Sequence, residues 1–251
     1  MKKKTVIITG GSSGLGLSIT EAFVNSGYFV IVGARKKVDL KSKFGENAIF
    51  VKADVKKESS HKLLIKTAKK ITGRLDVYIN NAGVSEWMPI SKINKKIIDT
   101  VISTNLIGTL WGCKVASSFL KNGGSIINIS SIAGKRGTSN NSIYCASKFG
   151  VNGITQSLSK ELGPKGIRVN SVCPVLIPTS GLLKALRSKH SPLVSKMKPL
   201  LFIKKFAKQN ASLNRLPLSK EVASTCVFLA SEKASAITGQ NINVDCGVFP
   251  Q

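Results

Sequence analysis

A tyrosine and a lysine four residues apart, Tyr144 and Lys148 in "YCASK", stand among small residues. On a helix, positions i and i+4 share a face, so a phenol and an ammonium at this spacing can meet. Nearby positive charge favours phenolate, and a tyrosine tuned in this way can trade protons near neutral pH. On the pair alone the plainer reading is a surface tyrosine beside one of many lysines. The company it keeps weighs against that. Ser131, in "ISSIAG" (129–134), lies thirteen residues upstream and places hydroxyls at the end of an apolar run.

A second constellation lies near the N-terminus. "TGGSSGLG" (9–16) spaces Gly10, Gly14 and Gly16 as G-x-x-x-G-x-G, with Ser12, Ser13 and Leu15 between them. Glycines let a backbone approach a pyrophosphate, and a following helix N-terminus favours its charge. A mere tight strand–helix turn is the competing explanation. "NNAG" (80–83) then follows a fourth apolar run.

These groups need elements to hold them. "TVIIT" (5–9) reads as a buried strand, followed by an amphipathic helix from about Leu15 to Asn25 that Gly27 ends. "YFVIVG" (28–33), "AIFVKA" (48–53), "DVYIN" (76–80), "SIINIS" (125–130), "IRVNSVC" (167–173) and "NINVD" (241–245) continue the series, with helical segments between. Strands alternating with helices predict an α/β fold: a parallel sheet covered on both faces, in one domain over 1–251. In such a sheet, ligands bind outside the carboxyl ends of the strands, where the motifs above converge.

In this order and spacing the motifs are specific as a set, and the chain resembles the short-chain dehydrogenase/reductases in their compact form, from Thr5 to Gly247. The resemblance implies a doubly wound Rossmann-type sheet. It implies that Tyr144 is the general acid toward a carbonyl oxygen, or the base toward an alcohol. Lys148 lowers the tyrosine's pKa and holds the nicotinamide ribose, and Ser131 hydrogen-bonds the substrate oxygen. Asn105, in "STNLIGT" (103–109), matches a fourth member that relays protons through water to the lysine; an asparagine satisfying a helix kink is compatible with that role. Asp54 and Val55 match adenine contacts, although Asp54 also reads as a helix N-cap. Asn81, Ala82 and Gly83 match contacts to the adenosine ribose and nearby backbone. Pro174, Ile177 and Thr179 fall at the nicotinamide end. Two positions depart from the family pattern: Pro174-Val175 replaces Pro-Gly, and Asp245-Cys246-Gly247 replaces Asp-Gly-Gly. Both leave the catalytic set intact and make substrate shape less certain.

The second strand ends "VGARKK", with no acid before Asp39. An acid there would accept from a ribose 2′-hydroxyl, whereas Arg35 can bind a 2′-phosphate, so NADP(H) is expected over NAD(H).

Composition narrows the setting. A hydrophobic content of 42% excludes a disordered chain. No apolar run reaches the length of a membrane span, and the run after "MKKK" is too short for an export signal, so a cytoplasmic protein is expected. Five scattered cysteines and two histidines, without a CxxC or Cys/His cluster, suit reduced thiols and no metal site. The net charge of +26 would suit nucleic acid, an anionic membrane surface or acidic partners. Because the lysines are spread over the whole chain, compositional drift is preferred, with neither nucleic acid nor membrane as partner.

A basic helical lid is expected at about 180–212; from Gly181 to Arg215 there are nine Lys or Arg and no acid. Such a lid suits a carrier-linked or otherwise anionic carbonyl substrate, and a 3-oxoacyl-acyl-carrier-protein reductase is the leading expectation. An alcohol, sugar or steroid dehydrogenase is the enzymatic alternative. A catalytically idle binding or regulatory protein on the same fold is the alternative of another class. The resemblance also implies a homodimer or homotetramer, formed through helices near 105–121 and 144–163.

Overall fold

β-Branched runs at the expected places become seven strands in the computed structural model, which describes residues 3–192 and 197–250. These are β1 (Thr5–Thr9), β2 (Phe29–Ala34), β3 (Ala48–Lys52), β4 (Val77–Asn80), β5 (Ser125–Ile129), β6 (Arg168–Pro174) and β7 (Asn241–Val244). They form one parallel sheet in the order β3-β2-β1-β4-β5-β6-β7. The chain runs outward from β1 through β2 to β3, then crosses back to β4. That reversal beside β1 opens the crevice in which open α/β sheets bind ligands.

Helices cover both faces. On one face α1 (Gly14–Asn25) and α9 (Ser219–Ala230) pack Ile19, Phe23, Val222 and Leu229 against Val6, Ile8, Val30 and Ile127. The intervening residues Ile7, Ile31, Tyr78 and Ile126 point the other way. There they meet Leu64 of α3 (Glu58–Ile71), Cys113 of α5 (Gly108–Ser117) and Leu162 of α6 (Ser142–Leu162). Strict alternation between two dry layers explains why β1, β4 and β5 are buried at every residue.

Short α2 (Lys41–Phe44) precedes β3, and α4 (Lys95–Ile102) precedes α5. The helix expected near 105–121 therefore starts earlier and is interrupted, because Ser103–Ile107 form a π-helical turn between α4 and α5. The expected lid supplies α7 (Ser180–Ala185) and α8 (Pro199–Asn210), while its residues 193–196 lie outside the described residues. Leu186, Ile203 and Ala207 pack there with Trp87, Ile132, Val175 and Val248 in a third apolar cluster beyond the carboxyl edge of the sheet. None of the described helices is long and apolar enough to cross a membrane.

Candidate active site

At the β1–α1 junction, Gly10 and Gly14 take φ of +66° and +52°, conformations that side chains disfavour. A Cβ on Gly16 would lie 2.1 Å from the Gly10 carbonyl oxygen, and one on Gly10 would lie 2.9 Å from Ala82 Cα. Ser13 precedes α1 without a side-chain cap, which leaves the N–H groups of the first turn free for an anion. Thr9 ties this turn to the next strand. Its Oγ1 accepts from the N–H of Asn81 at 3.1 Å and of Ala82 at 3.2 Å, while Asn81 Nδ2 donates to Thr9 O at 2.9 Å. This bare backbone cradle fits a dinucleotide pyrophosphate.

Further along the same edge, Arg35 and Lys36 follow β2, and Asp54 and Val55 follow β3. Asp54 is not the N-cap of α3, since Lys57 holds that position. Its Oδ1 accepts instead from Lys56 N at 3.1 Å, closing a turn that presents Val55. The Val55 carbonyl meets His61 Nε2 at 2.9 Å, and His61 Nδ1 meets the Tyr78 hydroxyl at 2.7 Å. Burial holds the His61 pKa below its ordinary value, so the ring is neutral at pH 7, with Nε2 donating to the carbonyl and Nδ1 accepting from the phenol. A lone histidine on a helix carries no pattern, so the role of His61 is not legible from the sequence.

Ser131, Tyr144 and Lys148 converge beyond β5. Lys148 Nζ donates to the Ile129 carbonyl at 2.8 Å and lies 5.7 Å from the Tyr144 ring centroid. The helix that carries the pair is pinned to β5 by buried polar contacts. Ser130 Oγ donates to Lys148 O at 3.2 Å, Asn152 Nδ2 to Gly134 O at 2.9 Å, and Asn128 Nδ2 to Thr155 Oγ1 at 2.9 Å. Burial pushes the Tyr144 pKa up to about 12, opposed by its hydrogen bond with Ser131. Burial also lowers Lys148 to about 8. Desolvation thus opposes the depression expected of the tyrosine, and the phenol keeps its proton at neutral pH.

One cavity of about 1430 Å³ is lined by every expected site residue except Asn105. Asn105 is 1% exposed. Its Oδ1 accepts from Val84 N at 2.8 Å, and its Nδ2 donates to Val84 O at 2.8 Å and to Ser147 Oγ at 3.1 Å. Its own carbonyl accepts from Thr109 Oγ1 at 2.7 Å. These contacts fix Asn105 in place and use one of the two lone pairs of its carbonyl oxygen. Asn105 clamps the irregular segment that follows "NNAG". The cavity is completed by residues without a motif, among them Trp87, Arg136, Leu182, Phe202 and Phe206.

A cradle for a dinucleotide and a proton-bearing phenol within one cleft define a nucleotide-dependent oxidoreductase. Comparison with known proteins agrees. Residues 10–249 match the family model described as enoyl-(acyl carrier protein) reductase. The chain is 33% identical to the uncharacterized oxidoreductase YxbG of Bacillus subtilis, over 99% of this chain and 92% of that protein. It is 32% identical to the 3-oxoacyl-[acyl-carrier-protein] reductase FabG of Chlamydia trachomatis, over 98% and 97%. A variant of actinorhodin polyketide ketoreductase crystallised with NADPH superposes with a TM-score of 0.88 at 29% identity, over 98% of this chain and 97% of that one. The chain belongs to the short-chain dehydrogenase/reductase family and is an oxidoreductase.

Proposed function

We propose that the protein reduces a carbonyl to an alcohol with NADPH, and that the carbonyl belongs to a 3-oxoacyl thioester on an acyl carrier protein. The observation that carries the reading is the convergence of Ser131, Tyr144 and Lys148 on the wall of a cavity whose floor is the glycine cradle. NADPH, when bound, supplies the hydride. Tyr144 donates its phenolic proton to the carbonyl oxygen, and its raised pKa means that this proton is in place at neutral pH. Ser131 donates to the same oxygen and stabilises the charge that develops there. Lys148, with a charged ammonium below about pH 8, holds the ribose hydroxyls and stabilises the tyrosinate left after transfer. Gly10, Gly14 and Gly16 admit the pyrophosphate, Asp54 and Val55 flank the adenine, and Ile177 and Thr179 border the nicotinamide.

Arg35 and Lys36 support NADPH over NADH, since both line the cavity where a 2′-phosphate would lie. The thioester is supported by the basic lid and by the reductase named FabG among the relatives. Half-exposed Leu110 on α5 and Phe149 on α6, at 39% and 48%, support a homodimer or homotetramer.

The test is NADPH oxidation with an acetoacetyl thioester against neutral ketones, at low and high salt. A salt-sensitive preference for the carrier-linked thioester is expected, and its absence leaves only the generic carbonyl reductase. Tyr144→Phe should abolish turnover while retaining NADPH binding.

A further inference from the structure

The cavity holds one cation that this chemistry does not use. Arg136 stands in the loop between Ser131 and α6 and lines the cavity with Trp87, Leu182, Phe202 and Phe206. Its guanidinium lies over the Phe249 ring, 5.2 Å from the centroid. Its Nε is buried without a hydrogen-bond partner, and its side chain makes no salt bridge among the described residues.

That is an unusual way to keep an arginine. A guanidinium carries five donors and no acceptor, and a desolvated one is ordinarily paired with a carboxylate. A ring face orients the guanidinium plane without consuming its N–H groups. The ring is itself fixed: Phe249 N donates to Asp245 Oδ2 at 2.8 Å, and Asn243 Nδ2 donates to Phe249 O at 2.7 Å. The ring thus holds the half-buried guanidinium in the cavity wall with its Nε unpartnered.

Among the described residues, the only carboxylate that lines the cavity is Asp54. Asp54 follows β3 and Arg136 follows β5, with β2, β1 and β4 between those strands. Four strand spacings of ~4.8 Å separate them by about 19 Å. Phe249 lies against Arg136, and Trp87, Leu182, Phe202 and Phe206 share the lining of the same cavity.

We infer that Arg136 determines specificity: the carbonyl substrate carries an oxyanion, carboxylate or phosphate, which the guanidinium binds while Tyr144 and Ser131 take the carbonyl oxygen. This rests on the carbonyl-reductase reading and narrows its substrate class. The fork matches the paired oxygens of either group, which a lysine ammonium would meet only as a point charge.

Matched pairs test it. Acetoacetate, 4-oxopentanoate and 5-oxohexanoate are each compared with the methyl ester, and hydroxyacetone phosphate with hydroxyacetone, using NADPH and the full chain. The carboxylate and phosphate arms identify the source of the oxyanion. At least one anionic member should exceed its neutral partner by about 10- to 100-fold in kcat/KM, mainly through KM. Arg136→Met should erase that preference and spare the neutral ketone, with Arg136→Lys recovering part of it. Phe249→Leu, which frees the guanidinium, should give an intermediate loss. No anionic preference in the wild type, or an Arg136→Met variant that keeps it or loses both members equally, overturns the inference. If neither these ketones nor the acetoacetyl thioester is reduced, the reductase reading fails instead. Calorimetry of 3-hydroxybutyrate and inorganic phosphate with the NADP⁺-loaded protein then decides for Arg136: binding lost in Arg136→Met supports the site, and absent or unchanged binding removes it.

Discussion

Lys148 donates to the Ile129 carbonyl at 2.8 Å while its ammonium sits 5.7 Å from the centre of the Tyr144 ring. One buried cation therefore serves two neighbours, and burial makes its charge expensive. The pKa falls to about 8, so the charge that supports proton transfer is complete below pH 8 and is lost above it. Reduction should be flat near neutrality and fall about tenfold per pH unit above about 8, while the Tyr144 phenol stays protonated until about 12. A pH profile of kcat/KM that shows no break between 7.5 and 9 (roughly one pKa width around that value) would falsify the assignment.

The same shift has a stability consequence of opposite sign. The folded-state pKa of Lys148 lies below its unfolded value of 10.5, so the folded form disfavours the bound proton. The cost is fully present below about pH 8 and disappears as pH rises toward 10.5. Lys148→Met should then raise stability at pH 7 by roughly 1–3 kcal/mol, less the lost bond to Ile129, while abolishing reduction. Denaturant melts of both proteins at pH 7 and pH 10 check this, since the advantage should shrink at the higher pH.

Asn105 grips the backbone of Val84 through both of its amide atoms. Asn105→Ala leaves a half-buried N–H and C=O without their partners and should cost about 1–3 kcal/mol. Asn105→Asp keeps the acceptor for Val84 N but sets a carboxylate against Val84 O, so it should be worse at pH 7 and partly relieved by acid. Melting curves of the two variants at pH 5 and pH 7 distinguish this clamp from a side-chain proton relay, which would lower kcat and leave the melting point alone.

Much of this arrangement was legible from the chain, for reasons that are local. Val6, Ile7 and Ile8 form an uninterrupted apolar run because both faces of β1 are covered. The glycines of the first turn are visible because no other residue fits: a Cβ at Gly16 meets Gly10 O. What escaped depends on distant partners. The π turn at Ser103–Ile107 reads as continuous helix until Asn105 is seen to reach Val84 across the site. Arg136 is one basic residue among thirty-eight until Phe249, from the far end of the chain, arrives beneath it. The spacing of Tyr144 and Lys148 reveals a neighbouring lysine but not the desolvation that raises the phenol's pKa.

The cradle gives a steric prediction. A methyl group on Gly16 would lie 2.1 Å from Gly10 O and 2.5 Å from Asn81 Nδ2, and its first neighbour is backbone that cannot swing aside. Gly16→Ala should push the turn apart and weaken dinucleotide affinity by about 100-fold or more, a loss of roughly 3 kcal/mol. Fluorescence titration with NADPH reads this directly. Gly153→Ala is the control, because a Cβ there meets nothing within 4 Å and α6 gains helix propensity.

The proposed preference for NADPH rests on the end of β2. Arg35 and Lys36 line the cavity, and the first acid after the strand, Asp39, is turned to the start of α2, where its Oδ1 accepts from Ser42 N at 3.1 Å. Nothing negative is therefore placed to receive a ribose 2′-hydroxyl, whereas a 2′-phosphate would meet two cations. Arg35→Ala should raise KM for NADPH about 10-fold and leave NADH nearly unchanged, since only the phosphate contact is lost. Arg35→Asp should go further, repelling the phosphate and offering the hydroxyl an acceptor, so that the NADPH/NADH ratio of kcat/KM falls by two orders of magnitude or more, about 3 kcal/mol. Steady-state kinetics of the three proteins with both cofactors settle the point, and equal efficiency with NADH in the wild type would overturn the preference.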